Sequence, residues 1–304
     1  DKYFKLLKEA LSEIPNIPLS SRFKLIGNLG QGGMGVVYKA VERGLDRTVA
    51  IKRLLIGEEQ AFNGTMRFLR EAKTLAKLAH PNIVNIHQTA FDSEGLYIVM
   101  EFIDGITLSD LLRRRGRLTN AETIYIVKSV AKALDFAHNL DVVHRDIKPG
   151  NIMLSGSSIN KLLAFENVSE PTRCSAINET NVKVLDFGLD KVYAGIDEKL
   201  AYLEGESLTK EWTKRLKKQT EKEGDELDLS ITGGLLGTML YASPEQKMNA
   251  KGVDRRADIY SLGKVTFQML TGIRPSKIML SDIPGPFRKL IINSTEPNLS
   301  LIHI

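Results

Sequence analysis

The apolar pattern of this 304-residue chain changes period near Leu108, and that change limits what it can fold into. Ahead of it the runs are short and β-rich. Phe23 and Leu25 alternate before a glycine run, Val36–Val41 and Thr48–Arg53 flank the turn Gly44-Leu45-Asp46, and Leu96–Phe102 reads as a buried strand. One helical stretch, about 65–79, closes at His80-Pro81-Asn82. Beyond Leu108 the spacing is helical. Thr119 and Glu122 form a capping box, and behind it Ile124, Val127, Val130, Ala131 and Leu134 repeat at helical spacing. A second helix is expected over Asp254–Leu270, with Ile259, Leu262, Val265, Phe267 and Leu270 as its apolar positions. A small β-rich half at about 22–102 and a larger helical half at about 103–304 make an α+β, bilobal pattern, with residues 1–21 as an N-terminal helical extension.

Two stretches do not fit that economy. Residues 155–181 are rich in Ser and Asn, and residues 190–236 carry a charged piece with Leu208, Trp212 and Leu216 four apart. Connections longer than about 12–15 residues are unusual inside a compact domain, so both are read as insertions.

Composition narrows the class. Hydrophobic residues are 42% and charged residues 26%, as in ordinary globular chains. No apolar run approaches the roughly 18–20 residues of a membrane span. Asp1–Ala10 is charged throughout, so no signal peptide is expected. A start at Asp1 fits an excerpt of a longer protein, which leaves room for an anchor elsewhere. Cys174 is the only cysteine, which fits a reducing, cytoplasmic setting. The net charge is +5, but the basic residues are scattered. Their densest cluster, Arg113, Arg114, Arg115 and Arg117, sits at a helix end and reads as solvated surface, so no nucleic-acid partner is expected.

Five short motifs carry the chemistry. Gly30-Gln31-Gly32-Gly33-Met34-Gly35-Val36-Val37 is a GxGxxGxV run. Glycines let a backbone approach phosphate oxygens closely. A dinucleotide turn needs a helix directly after such glycines, whereas Val36–Val41 continues as a strand, so the run reads as a hairpin lid. In Val49-Ala50-Ile51-Lys52, Ala50 and Lys52 share a strand face, a small side chain for a flat base beside an ammonium for its phosphates. Glu71, in the following helix, is a carboxylate able to hold Lys52 as an ion pair, with Leu75 one turn later. The decisive run is His144-Arg145-Asp146-Ile147-Lys148-Pro149-Gly150-Asn151. Four fixed residues at about 1 in 20 each arise by chance in roughly 0.002 of chains this long. Asp186-Phe187-Gly188 follows, then Gly237-Thr238, Tyr241-Ala242-Ser243-Pro244-Glu245 and Asp258-Ile259-Tyr260-Ser261-Leu262-Gly263. His144 reads as structural, and the remaining histidines show no partner pattern.

In this order the motifs resemble the protein kinase superfamily from about Phe23 to Leu290, and the details GQGGMG, HRDIKPGN, YASPEQ and DRRADIYSLG resemble its bacterial Ser/Thr branch. The resemblance implies a bilobal kinase-like fold, with a small antiparallel sheet and one helix in the first lobe. It implies Mg-ATP as cofactor (Mn²⁺ the alternative) and Ser or Thr of another protein as acceptor. By motif position, Gly30, Gly32 and Gly35 would cover the phosphates, Lys52 would hold the α/β-phosphates and Glu71 would hold Lys52. Asp146 would accept the hydroxyl proton, Lys148 would neutralise the transferring group, and Asn151 and Asp186 would hold the metal. Met100 would be the gatekeeper, backbone groups of Glu101 and Ile103 would meet the adenine, and Val37, Ala50 and Met153 would sandwich it. Leu75, Ile86, His144 and Phe187 would stack into an internal column anchored by Asp258.

Lys148 and Thr238 resemble the residues that Ser/Thr kinases carry at these points. Arg145, directly before Asp146, implies control by phosphate in the activation segment, with Ser230 or Thr232 as the expected acceptor, modified in trans by a second copy. The family pairs the residue at Glu245 with a later arginine, and no matching arginine precedes Leu301-Ile302-His303-Ile304, so the last helix of the lobe is expected to be altered or cut short. A nucleotide-binding scaffold with weak or no transfer is the alternative reading.

Overall fold

The computed structural model describes residues 15–32, 35–54, 78–92, 95–157, 159–163, 170–187, 239–248, 253–276 and 278–296. They fall into two compact units. The first, holding residues 15–54, 88–92 and 95–99, is built on a five-stranded sheet. Its strands are β1 (Phe23–Gly32), β2 (Gly35–Glu42), β3 (Arg47–Leu54), β4 (Ile86–Asp92) and β5 (Gly95–Glu101), in the order β1-β2-β3-β5-β4. β1 and β2, and β2 and β3, pair antiparallel. A short helix, α1 (Leu19–Arg22), leads into β1.

Alternation decides which way this sheet faces. Val49 and Ile51 of β3 pack with Leu19, Phe23, Ala40, Ala90, Tyr97 and Val99 into one apolar cluster. Phe23 meets Tyr97 edge-on at 6.4 Å, and the Tyr97 hydroxyl donates to the Ile17 carbonyl at 2.8 Å. Ala50 and Lys52 therefore point to the opposite face. At the end of β2 the Glu42 carboxylate is 1% exposed and takes a guanidinium on each oxygen, Arg22 and Arg47 both at 2.6 Å. Burial alone would push this carboxyl up. The bonds from Arg47 and Arg22 outweigh it and hold the group below the usual carboxylate range.

The second unit, holding residues 78–87, 100–187 and 239–296, is mainly helical. A small antiparallel sheet of β6 (Gly105–Thr107), β7 (Ile152–Ser155) and β8 (Asn181–Val184) carries the His144–Asn151 run before β7 and Asp186-Phe187 after β8. Its helices are α2 (Leu108–Arg115), α3 (Asn120–His138), α4 (Ile159–Leu163), α5 (Glu170–Asn178), α6 (Pro244–Met248), α7 (Arg256–Thr271) and α8 (Arg288–Ser294). α3 begins at the expected capping box, with the Thr119 side chain and Glu122 satisfying each other's backbone. α7 is buried along nearly its whole length and ends at Gly272, whose φ of +77° and closeness to the Gly116 carbonyl leave no room for a Cβ.

Two local outcomes differ from the sequence reading. Arg115, expected on solvated surface, is buried and forms a forked ion pair with Glu122, at 2.6 and 3.0 Å. Gly116 ends α2 with φ +74° and turns the chain so that the last residue of the helix faces the start of α3. Residues 155–181, read as an insertion with no assigned elements, hold α4 and α5 between the paired ends Ser155 and Asn181. Ala176 and Ile177 of α5 are buried, and the Tyr125 hydroxyl of α3 donates to the Thr180 carbonyl at 2.7 Å. The helix expected near 65–79 and the segment 190–236 lie outside the described residues apart from Leu78 and Ala79, as does residues 1–14 of the N-terminal extension.

Replacing Glu42 by Ala removes two ion pairs while leaving arginines that are about 40% exposed and can rehydrate. The expected loss is about 2 kcal/mol at pH 7. Because the carboxyl is depressed in the fold, its contribution is present above the unfolded carboxylate pKa and fades as pH falls through the folded one. Urea unfolding of wild type and Glu42→Ala should therefore differ at pH 7 and converge under strongly acidic conditions.

Candidate active site

In the first unit, the glycine run bridges β1 and β2 with Gly30 opposite Val37 and Gly32 opposite Gly35. The Asn28 side chain accepts from the Gly30 N–H at 2.8 Å, beside a register shift between Asn28 and Gly30. Gly33 and Met34, at the tip, lie outside the described residues. Val37 faces Lys52 across the β2–β3 pair. Ala50 and Lys52, on one face, are 7% and 5% exposed, so this strand lysine is buried where an ordinary one would be solvated. Glu71 and Leu75 fall outside the described residues.

The second unit assembles the rest around one loop. Asp146 is nearly buried. Its Oδ2 meets Lys148 Nζ at 2.7 Å and accepts from Asn151 Nδ2 at 2.8 Å. The same amide nitrogen also donates to the Asp146 carbonyl at 2.8 Å. With its nitrogen committed twice, Asn151 must present Oδ1 elsewhere, as a metal ligand would. Asn151 ends the 3₁₀ turn Pro149–Asn151, and its carbonyl accepts from Leu185 N–H at 2.9 Å, which ties the turn to the residue before Asp186. Asp186 holds φ +55°, a strained setting for a non-glycine residue. Among the described residues no group of three His, Cys, Asp or Glu could hold a metal. Asn151 and Asp186 nevertheless suit Mg²⁺, a hard cation that takes oxygen and keeps water and substrate phosphates as further ligands.

His144 is structural, as expected. Its Nε2 lies 2.7 Å from the Leu185 carbonyl, so it carries the proton, and Nδ1 accepts from Asp146 N–H at 3.2 Å. Its ring tilts against Phe187 at 4.4 Å, which brings together two of the four residues expected in the internal column. Behind them Asp258, fully buried in α7, accepts from His144 N–H at 2.8 Å and Arg145 N–H at 2.7 Å. Arg145 holds φ +70°. His138 completes the group, with Nε2 at 2.7 Å from Asp258 Oδ2. The sequence showed no partner for His138, because 120 residues separate it from Asp258.

Met100, 9% exposed, is the penultimate residue of β5, Glu101 ends the strand and Ile103 follows, and Met153 sits in β7 opposite Lys183. Farther along, Gln246 Nε2 donates to the Arg145 carbonyl at 2.7 Å and its Oε1 accepts from Ser243 N–H at 3.0 Å, so the Ser243-Pro244-Glu245 turn is tied to the loop that carries Asp146. Both carboxylate oxygens of Glu245 are buried with no hydrogen-bond partner among the described residues. The neighbouring Tyr260 phenol is pushed up, first by burial and then by this carboxylate.

The sequence pattern of the protein kinase domain family matches residues 23–284. This chain belongs to that family. It is 36% identical over 247 residues to serine/threonine-protein kinase PknJ of Mycobacterium tuberculosis, covering 81% of this chain and 33% of that protein. It is 34% identical over 259 residues to the probable serine/threonine-protein kinase CA_C1728 of Clostridium acetobutylicum, covering 84% and 31%. Against serine/threonine-protein kinase PknB of M. tuberculosis the identity is 33% over 261 residues, covering 84% and 33%. The chain thus spans about a third of the length of these relatives. The crystal structure of the M. tuberculosis PknI kinase domain superposes with a TM-score of 0.59 at 20% identity, covering 93% of this chain and 91% of that one, a likeness of fold. Protein kinases as a family use ATP and Mg²⁺.

A buried carboxylate without a partner costs stability while it stays charged. Glu245→Gln is therefore expected to leave stability unchanged or raise it by about 1 kcal/mol. A fall of similar size in chemical unfolding would show that Glu245 has a cationic partner.

Proposed function

We propose that this chain transfers the γ-phosphoryl of Mg-ATP to Ser or Thr hydroxyls of proteins. The observation that carries this reading is the arrangement at Asp146. Lys148 and Asn151 occupy Oδ2, and no described residue bonds Oδ1, which is left to accept the proton of an incoming hydroxyl. Lys148, still about a quarter exposed, would then face the charge that builds on the transferring group. Phosphoryl transfer needs little covalent help, so positioning and cationic stabilisation account for most of the catalysis. Bound magnesium would neutralise the phosphates, with Asn151 and Asp186 as its protein ligands.

The remaining assignments belong to the same proposal. Gly30, Gly32 and Gly35 cover the phosphates. Lys52, held by Glu71, binds the α/β-phosphates. Val37, Ala50 and Met153 enclose the adenine behind Met100, with backbone groups of Glu101 and Ile103 on its edge. The catalytic domain is residues 22–304. Lys148 supports Ser/Thr over Tyr, as do the names of the relatives; Thr238 lies outside the described residues. No observation favours the scaffold without transfer, because the Asp146 arrangement is intact. A cytoplasmic setting fits both an ATP-dependent enzyme and the single cysteine. No helix among the described residues is long and apolar enough to cross a membrane.

Incubation with Mg²⁺, γ-labelled ATP and a basic protein should label Ser and Thr. Asp146→Asn should cut the rate by at least about 100-fold while preserving nucleotide binding. Transfer that survives this change would overturn the assignment.

Control by phosphate is part of the proposal. Arg145 already donates to the Val253 carbonyl at 3.2 Å, which holds its guanidinium beside the loop it precedes. Ser230 and Thr232 are the proposed acceptors, modified by a second copy, and both lie outside the described residues. Ser230→Ala with Thr232→Ala should lower self-labelling and activity together. Unchanged incorporation would remove this device.

A further inference from the structure

At the exit of β5 the strand pairing departs from the ordinary ladder. Glu101 N–H donates to the Asn85 carbonyl at 2.9 Å. In an antiparallel pair of this kind the reciprocal bond runs from the partner's N–H to the backbone carbonyl. Here Asn85 N–H goes to the Glu101 side chain instead, reaching Oε1 at 2.9 Å. The same oxygen sits 2.5 Å from Lys183 Nζ, and that ammonium also donates to the Ile83 carbonyl at 3.2 Å. Lys183 lies in β8 directly opposite Met153, three residues before Asp186. The next residue, Val184, is fixed through both its backbone groups. Val184 N–H donates to the Asn82 carbonyl at 2.9 Å, and Val84 N–H donates to the Val184 carbonyl at 3.0 Å.

The pair is too exposed to be explained by stability. Lys183 and Glu101 are 19% and 26% exposed, a setting in which an ion pair contributes about 0.2–1 kcal/mol. Its effect is geometric. By drawing the carboxylate onto Asn85 N–H, Lys183 removes that N–H as a competitor for the Glu101 carbonyl. A carbonyl can only accept, and the edge of adenine offers an exocyclic amino donor.

We infer that Lys183 and Glu101 together are positioning residues for the purine: their ion pair keeps the Glu101 backbone carbonyl out of the strand ladder and available to the amino group of adenine. The inference rests on the proposed ATP site, in which the backbone at 101 meets the base. It also gives base selectivity a source, since hypoxanthine or guanine would present an oxygen to that carbonyl, acceptor against acceptor.

The test compares Mg-ATP with Mg-ITP, whose base differs from adenine at this edge. Calorimetric dissociation constants are read for wild type, Lys183→Met and Lys183→Arg. Loss of one such hydrogen bond should weaken ATP about 3- to 10-fold in Lys183→Met. ITP should move by less than about twofold, so the ATP/ITP ratio falls, and Lys183→Arg should restore most of it. In the labelling assay the change should appear in KM for ATP with kcat nearly constant. Equal weakening of both nucleotides, or an unmoved ratio, overturns the inference and leaves the kinase reading standing. A wild-type chain that binds neither nucleotide overturns both.

Discussion

The proposed catalytic loop of this protein, His144–Asn151, hangs on one buried carboxylate. Asp258 is fully enclosed in α7, and an isolated charge there would be prohibitive. Two backbone N–H groups and an imidazole bond it instead, so its oxygens are satisfied by hydrogen bonds. What that arrangement secures is a backbone setting. Arg145 sits at φ +70°, which a β-carbon disfavours by an amount comparable to one good hydrogen bond. The charge-assisted bond from Arg145 N–H to Asp258 is of the type that offsets such a cost. Asp146, the next residue, inherits its direction from this anchored turn. The proposed catalytic carboxylate is therefore aimed from behind, through a bond that spans 113 positions from Arg145 to Asp258.

From that anchor the order spreads by short links. His144 passes it to Leu185 through one ring nitrogen and to Asp146 through the other, while its face carries Phe187. Gln246 extends it to the Ser243-Pro244-Glu245 turn through the Arg145 carbonyl. Each of these bonds uses a group that would otherwise be a buried unsatisfied donor or acceptor. Disturbing any member exposes its neighbours to the same penalty, so the loop should respond as a unit.

Much of this was legible in the sequence, for reasons that differ by element. α7 was expected over Asp254–Leu270 and runs over Arg256–Thr271, because a buried helix writes its period into the chain. α3 announced its start through Thr119 and Glu122, which recognise each other locally. Asp146, Lys148 and Asn151 stood out because they fall within one short run, and the structure brings their side chains together. His138, Arg115 and the Lys183–Glu101 pair were not. His138 and Lys183 act across 120 and 82 residues with no periodic trace. Arg115 was misassigned because a run of arginines at a helix end looks uniformly solvated, whereas the turn at Gly116 aims only that one at Glu122. Asn and Ser in 155–181 suppressed a helical reading that packing of α5 against α3 reinstates.

Glu245 shows where sequence logic and structural logic meet from opposite sides. The sequence offered no later arginine to match it, and the structure leaves both its oxygens buried and unbonded among the described residues. Arg256, one candidate cation in its vicinity, is committed to Asp254 at 2.7 Å. Gln246, next in sequence, is bound through both ends of its amide, so the turn has a hydrogen-bonded tie that does not use Glu245. The tie from this turn to the catalytic loop therefore runs through neutral hydrogen bonds, which salt does not screen. The link between the end of the activation segment and Asp146 should persist across ionic strength, where a surface ion pair in its place would weaken.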